Sequence, residues 1–150
     1  MKKAFTMVEL IFVIVVVSIL FTVAIPRLVA TRDDALISQN SEYIIGIMTE
    51  ISTYITAQGE SKDDLKEMSS ILEILDNQNR IIIDTSTKSA KVKIGEDENC
   101  ITIDIDSTDT TELLKTVFSI STPNRICKMV QNFISEKDYP LVVRGRLIKY

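Results

Sequence analysis

The chain has 150 residues, enough for one modest domain plus an appendage, with an apolar share of 45% and a formal charge of −4. It has no histidine, which removes the commonest general base and the commonest metal ligand, and its two cysteines fit no zinc spacing. The negative net charge argues against wholesale nucleic-acid binding. Charge is nonetheless unevenly placed: Arg125, Lys128, Lys137, Arg144, Arg146 and Lys149 face only Glu136 and Asp138 in a basic tail, behind an acidic body.

In chain order, Met1-Lys2-Lys3-Ala4 is a very short basic leader. The 21 residues from Phe5 to Ile25 are apolar except for Thr6, Glu9, Ser18 and Thr22. As a helix they span about 31 Å, enough for a bilayer core of about 30 Å. Taken alone, this segment is an anchor that is never cut, since no small-residue signal cleavage site precedes Pro26. Lys2 and Lys3 put the N-terminus on the cytoplasmic side and the remaining chain across the membrane, in a periplasm-like space. Leu36, Tyr43, Ile44, Ile47, Met48, Ile51, Tyr54 and Ile55 then recur at spacings of three, four and seven, the apolar stripe of a helix. Arg32, Asp33, Asp34, Glu42 and Glu50 are expected on its opposite side. One long helix is predicted to about Gln58, bent at Pro26 and stopped at Gly59.

Ser61-Lys62-Asp63-Asp64 resembles a capping box, and Leu65, Met68, Ile71, Leu72 and Leu75 continue at helical spacing until Asp76-Asn77-Gln78-Asn79. Short strands are predicted at Arg80–Asp84, Lys91–Ile94 and Ile101–Ile105, with turns at Ser86–Ser89 and Gly95–Asn99, forming an antiparallel meander. Leu113, Leu114, Val117 and Phe118 suggest a short helix. Thr122-Pro123 suggests the start of another, with threonine as N-cap and Ile126, Val130, Phe133 and Ile134 as its apolar face. Leu141–Val143 and Leu147–Ile148 read as terminal strand around Gly145. The expected fold class is α+β: a leader at 1–4, a long helix at 5–58 with a membrane-spanning segment at 5–25, and a small antiparallel head with short helices at 59–150.

Glu9 demands the most explanation. A carboxylate four residues inside a membrane span costs roughly 2.5–3.5 kcal/mol and is normally paired and functional. Lys2-Lys3-Ala4-Phe5-Thr6-Met7-Val8-Glu9-Leu10 resembles the processing site of the type IV pilin and pseudopilin family. In that family a membrane peptidase cuts a short basic leader on the cytoplasmic side, and the new N-terminal residue, usually phenylalanine, is N-methylated. A glutamate follows four residues later, and often a proline twenty-one residues later. A cut between Ala4 and Phe5 brings Phe5, Glu9 and Pro26 onto all three places at once. The family usually has glycine before the cut; Ala4 is also small. The resemblance covers about the first 30 residues, and beyond them only the architecture is similar. It implies filament assembly through the N-terminal helix, with Glu9 pairing with the amine of a neighbouring copy. It implies as partners the prepilin peptidase and methylase, an inner-membrane assembly platform and other pilin-like subunits. The motif does not separate the machines of the family; the small head after Gly59, without a long glycine- and serine-rich loop, ranks a type II secretion or DNA-uptake (competence) system ahead of a long surface pilus.

The two cysteines, Cys100 and Cys127, are expected on a strand and a helix of an exported domain, where a disulfide is permitted. A bond would close a loop worth about 3–4 kcal/mol by chain entropy. The other reading is two buried free thiols; the disulfide is favoured, and many pilins place one near their C-terminal region. Asp104, Asp106, Asp109 and Glu112 form an acidic run whose oxygens suit calcium, but it lacks EF-hand spacing, and a solvated acidic turn is the preferred reading. The basic tail is a solvated face or a partner for an acidic neighbour, with DNA phosphate contact ranked third. No nucleophile with a base, phosphate loop or metal cluster is present, so neither an enzyme nor a cofactor is expected. The alternative function is a single-span, membrane-anchored periplasmic binding module. It accounts for the span and the head but not for Phe5, Glu9 and Pro26 in register.

Overall fold

The computed structural model describes residues 6–108, 111–120, 123–134 and 140–144. Its first element is a single α-helix, α1 (Met7–Gln58), which runs without interruption through Pro26. Two compact units divide the chain at Leu36 and Ile37. In the first unit the helix is almost wholly apolar as far as Ile25, and its large side chains from Met7 to Val29 are exposed. This helix is long and apolar enough to cross a membrane.

In the second unit α1 becomes one-sided. Ile44, Ile47, Met48, Ile51 and Ile55 are buried, with Tyr43 and Tyr54 packed at the margins. Burying each large apolar side chain is worth about 1.5–3 kcal/mol, so this face holds the helix to the head. The helix stops where expected. Gly59 takes φ +82°, a left-handed conformation that glycine adopts freely, and its N–H donates to the Ile55 carbonyl at 2.8 Å.

The head carries a five-stranded antiparallel sheet in sequential order: β1 (Ile81–Asp84), β2 (Ser89–Ile94), β3 (Asp97–Ser107), β4 (Glu112–Phe118) and β5 (Leu141–Arg144). Ile81 pairs with Val92 and Val92 with Ile101; Ile83 pairs with Ala90 and Ala90 with Ile103; Ile105 pairs with Leu114. These rows share one face by strand alternation and join the α1 stripe in a single core. The expected α+β class and the expected meander are both present, the meander lengthened by two strands.

Three local expectations are corrected. Leu113, Leu114, Val117 and Phe118 lie on strand β4, not on a helix. Glu112, Leu114 and Thr116 alternate inward there, and seven register pairs join β4 to β3. The segment after Gly59 is not one helix begun at Ser61. Asp64 caps a short 3₁₀ helix at Leu65–Glu67, and Ser69 caps a separate helix, α2 (Ser70–Asn77), accepting from the Leu72 N–H. Leu65, Met68, Leu72 and Leu75 are still buried, so the apolar periodicity survives the break. The last helix, α3 (Arg125–Phe133), is capped by Asn124, whose side chain accepts from the N–H groups of Ile126 and Cys127. Pro123 therefore stands before the cap instead of at the first helical position, and Thr122 lies outside the described residues. So do Gly145, Leu147 and Ile148.

Candidate functional site

The polar residues of the apolar segment each find a bond inside the helix. Ser18 donates its hydroxyl to the Ile14 carbonyl at 2.6 Å, and Thr22 donates to the Ile19 carbonyl at 2.7 Å. Such back-bonding gives each of these hydroxyls a partner within the helix itself. Pro26 has no N–H, so the carbonyl of Thr22 one turn earlier loses its usual helical donor.

Glu9 sits in the first turn of α1, where a negative charge is favoured by the helix dipole. Thr6, directly before the helix, donates to Glu9 Oε2 twice: from its N–H at 2.9 Å and from its hydroxyl at 2.8 Å. The Glu9 N–H returns a bond to Thr6 Oγ1 at 3.3 Å. This is a reciprocal capping box. In the sequence Thr6 stands out only as an interruption of the apolar run. The signal was present in Thr6-Met7-Val8-Glu9, a threonine followed three residues later by glutamate. Ala4 and Phe5, the expected processing pair, lie outside the described residues.

In the head, Cys100 on β3 and Cys127 on α3 form a disulfide with Cα atoms 5.7 Å apart, both fully buried. Gln131 reinforces the junction by donating to the carbonyls of Cys100 at 2.7 Å and Ser119 at 3.2 Å. Helix α3 is thus tied to the sheet covalently and by a side-chain clamp.

The acidic run does not converge. Asp106 pairs with Lys115 across the β3–β4 ladder. Glu112 is buried and accepts from the N–H of Ser61 at 3.3 Å and its hydroxyl at 2.8 Å, with Arg144 at 3.8 Å. Asp109 lies outside the described residues. Among the described residues no group of three or more acidic or sulfur side chains is placed to hold a metal ion. Of the basic tail, Arg125, Lys128 and Arg144 are described. Arg144 faces Glu112 of its own sheet, which makes it a structural partner there.

Glu50 is not on a solvated side of α1. Its carboxylate accepts from the hydroxyls of Ser69 at 2.6 Å and Ser70 at 3.1 Å, and from the Ile71 N–H at 3.4 Å, capping α2 from a neighbouring element. Partial burial works to raise its pKa, but these donors outweigh it and hold the group below the ordinary glutamate value. Arg80 donates to Asn40 and lies over the Tyr43 ring, 5.4 Å from its centroid, a second polar tie onto α1.

Comparison with family models, curated proteins and solved structures finds no match for the chain.

Proposed function

We propose that the chain is a structural subunit of a type IV pilus-like filament, a pseudopilin of a type II secretion or DNA-uptake system, and that it performs no catalysis. On this reading it is stored in the inner membrane by its N-terminal helix, with a cytoplasmic N-terminus and a periplasmic head. A prepilin peptidase removes Met1–Ala4 and the new amine on Phe5 is methylated. The subunit then joins copies of itself and other pilin-like subunits through the same helix, on an inner-membrane assembly platform.

The observation that carries this reading is the register of Phe5, Glu9 and Pro26 along one apolar stretch of sequence. Further support comes from the exposure of α1 from Met7 to Val29, since an apolar surface open on every side needs either lipid or other helices. A carboxylate in such a surface is costly unless a positive group meets it, and the amine of an axially shifted neighbour is such a group. The deciding experiment is the mass of the chain recovered from membranes. Loss of Met1–Ala4 plus one methyl group is expected; an uncut chain refutes the reading. Replacing Ala4 with a bulky residue is expected to leave the full-length form, and Glu9→Leu to keep membrane insertion and a folded head while abolishing filaments.

A further inference from the structure

We propose that the two open edges of the head's sheet are complementary: β1 of one copy takes β5 of a second copy as a parallel neighbour, with Ile82 beside Val142, so that heads join side by side into one continuous sheet. This goes beyond the filament reading, because it concerns the heads alone and needs neither a cut N-terminus nor Glu9.

Strands β1 and β5 end the sheet, and among the described residues no strand pairs with the outer side of either. Both have the same make-up, three apolar residues followed by a charge: Ile81-Ile82-Ile83-Asp84 and Leu141-Val142-Val143-Arg144. Ile82 and Leu141 remain 41% and 42% exposed. Strand β1 carries no proline, lysine or bulge of the kind that keeps an open edge from pairing. In a sheet of sequential antiparallel strands the first and the fifth run the same way, so edge to edge they meet as parallel strands. Aligned from their first residues, the apolar positions coincide and Asp84 falls beside Arg144, opposite charges at the same end. Arg144 lies 3.8 Å from Glu112 in its own head, and its fork of donors leaves room for a second carboxylate.

The backbone has the matching phase. The Lys93 N–H donates to the Arg80 carbonyl at 2.8 Å, and in that register the main-chain groups of Ile82 turn toward β2 while those of Ile81 and Ile83 turn outward. At the other edge, the Thr108 N–H donates to the Thr111 carbonyl at 2.8 Å, which turns Leu113 toward β3 and Leu114 toward β5. Leu141, opposite Leu114, therefore faces β4, and Val142 presents its N–H and C=O outward. A parallel bridge sets one residue's N–H and C=O between the carbonyl and the N–H of the two residues flanking its neighbour. Val142 between the Ile81 carbonyl and the Ile83 N–H is that arrangement. A slip of one residue would set Val142 against groups of Arg80 and Ile82 that already face β2. The direction also suits chains anchored from one membrane: parallel joining repeats every head the same way up, whereas an antiparallel pairing of β1 with β1 would invert one of the two.

The test uses the full chain in membranes. Ile82→Cys and Val142→Cys are placed in separate chains, co-expressed and briefly oxidised; Cys100 and Cys127 are already bonded and buried. The mixture is expected to give a disulfide-linked dimer, neither variant alone is expected to do so, and a chain carrying both substitutions is expected to give a ladder of higher multimers. Thr102→Cys, in the middle of the sheet's outer face, mixed with Val142→Cys sets the collision background. Ile83→Pro removes an N–H that faces outward, and is expected to bring cross-linking down to that background while the head keeps its thermal unfolding. Asp84→Arg is expected to lower cross-linking about threefold, the scale of a like-charge pair between strands. Should the proline unfold the head, the Asp84→Arg result decides. Cross-linking at the background level, a dimer from Ile82→Cys alone, or undiminished cross-linking in folded Ile83→Pro or in Asp84→Arg overturns the proposal. Chain masses are read in the same samples: uncut chains that cross-link refute only the filament reading, and cut chains that do not cross-link refute only this contact.

Discussion

Single side chains decide how α1 is fastened to the head, and Glu50 is the most informative of them. Its carboxylate caps α2 through Ser69, Ser70 and Ile71. Its pKa is lowered in the folded state, so it contributes stability above the unfolded glutamate pKa and loses that contribution as pH falls through the folded value. Head stability is therefore expected to decline between about pH 5 and pH 3, and Glu50→Gln to flatten part of that decline. At neutral pH, Glu50→Ala is expected to cost about 1–2 kcal/mol in urea unfolding of the head, because three donors lose their acceptor. No loss at neutral pH would mean that water replaces the carboxylate without penalty. Sequence periodicity assigned Glu50 to the solvated side because it marks an apolar stripe but cannot see an element arriving from elsewhere in the chain.

At the scale of elements, what the sequence revealed depended on whether the deciding contact was local. Helix α1, its stop at Gly59, the apolar positions of α2 and four of the five strands were legible because periodicity and turn residues are local signals. Strand β4 was not. Leu113, Leu114, Val117 and Phe118 fit helical spacing, while the true inward positions include the polar Glu112 and Thr116, which disguise an alternation of two. Only the pairing with β3, and the contact of Glu112 with Ser61 fifty-one residues earlier, reveal it. Of the candidate site, the disulfide pair was legible, whereas the capping role of Thr6 is obscured in the sequence by the apolar run it interrupts. The start of α3 was misplaced because Thr122-Pro123 and Asn124 are competing caps, and tertiary contact selects between them. Asn124 caps the helix and also donates to the Ile94 carbonyl at 3.2 Å, beside the β2–β3 turn. Gly95 in that turn has φ +64°, and a Cβ there would lie 2.3 Å from Asn124 Nδ2. Gly95→Ala is thus expected to strain the turn and displace the cap together, costing about 1–3 kcal/mol, more than Asn124→Ala at about 1 kcal/mol. Thermal or urea unfolding of the head with the disulfide intact measures both, and equal losses would show that the cap and the turn are independent.

For the whole molecule, the division at Leu36 and Ile37 separates an apolar helix from a head with its own core. A chain beginning at Ile37 retains Ile44, Ile47, Met48, Ile51 and Ile55 together with all five strands. It is expected to fold in water without detergent, to form the Cys100–Cys127 bond and to unfold cooperatively; aggregation of this fragment would place part of the head's stability in the first unit. Replacing both cysteines with serine in it is expected to lower stability by about 2–4 kcal/mol.

The same bond sets how far the molecule can lengthen when it is drawn by its ends. Cys100 and Cys127 are 27 positions apart and enclose the end of β3, all of β4 and the start of α3 in one covalent ring. Tension applied between the N-terminal helix and the end of the chain bypasses that ring through the sulfur atoms, so its residues carry no load and yield no slack. Full extension of the oxidised chain should fall short of that of the reduced chain by about 90 Å, at roughly 3.5 Å per bypassed residue. Force spectroscopy with and without reductant reads that difference directly, and equal contour lengths would show that the ring is not closed. A pull on α1 would then draw out that helix and the first strands before the ring, which only a reductant can open.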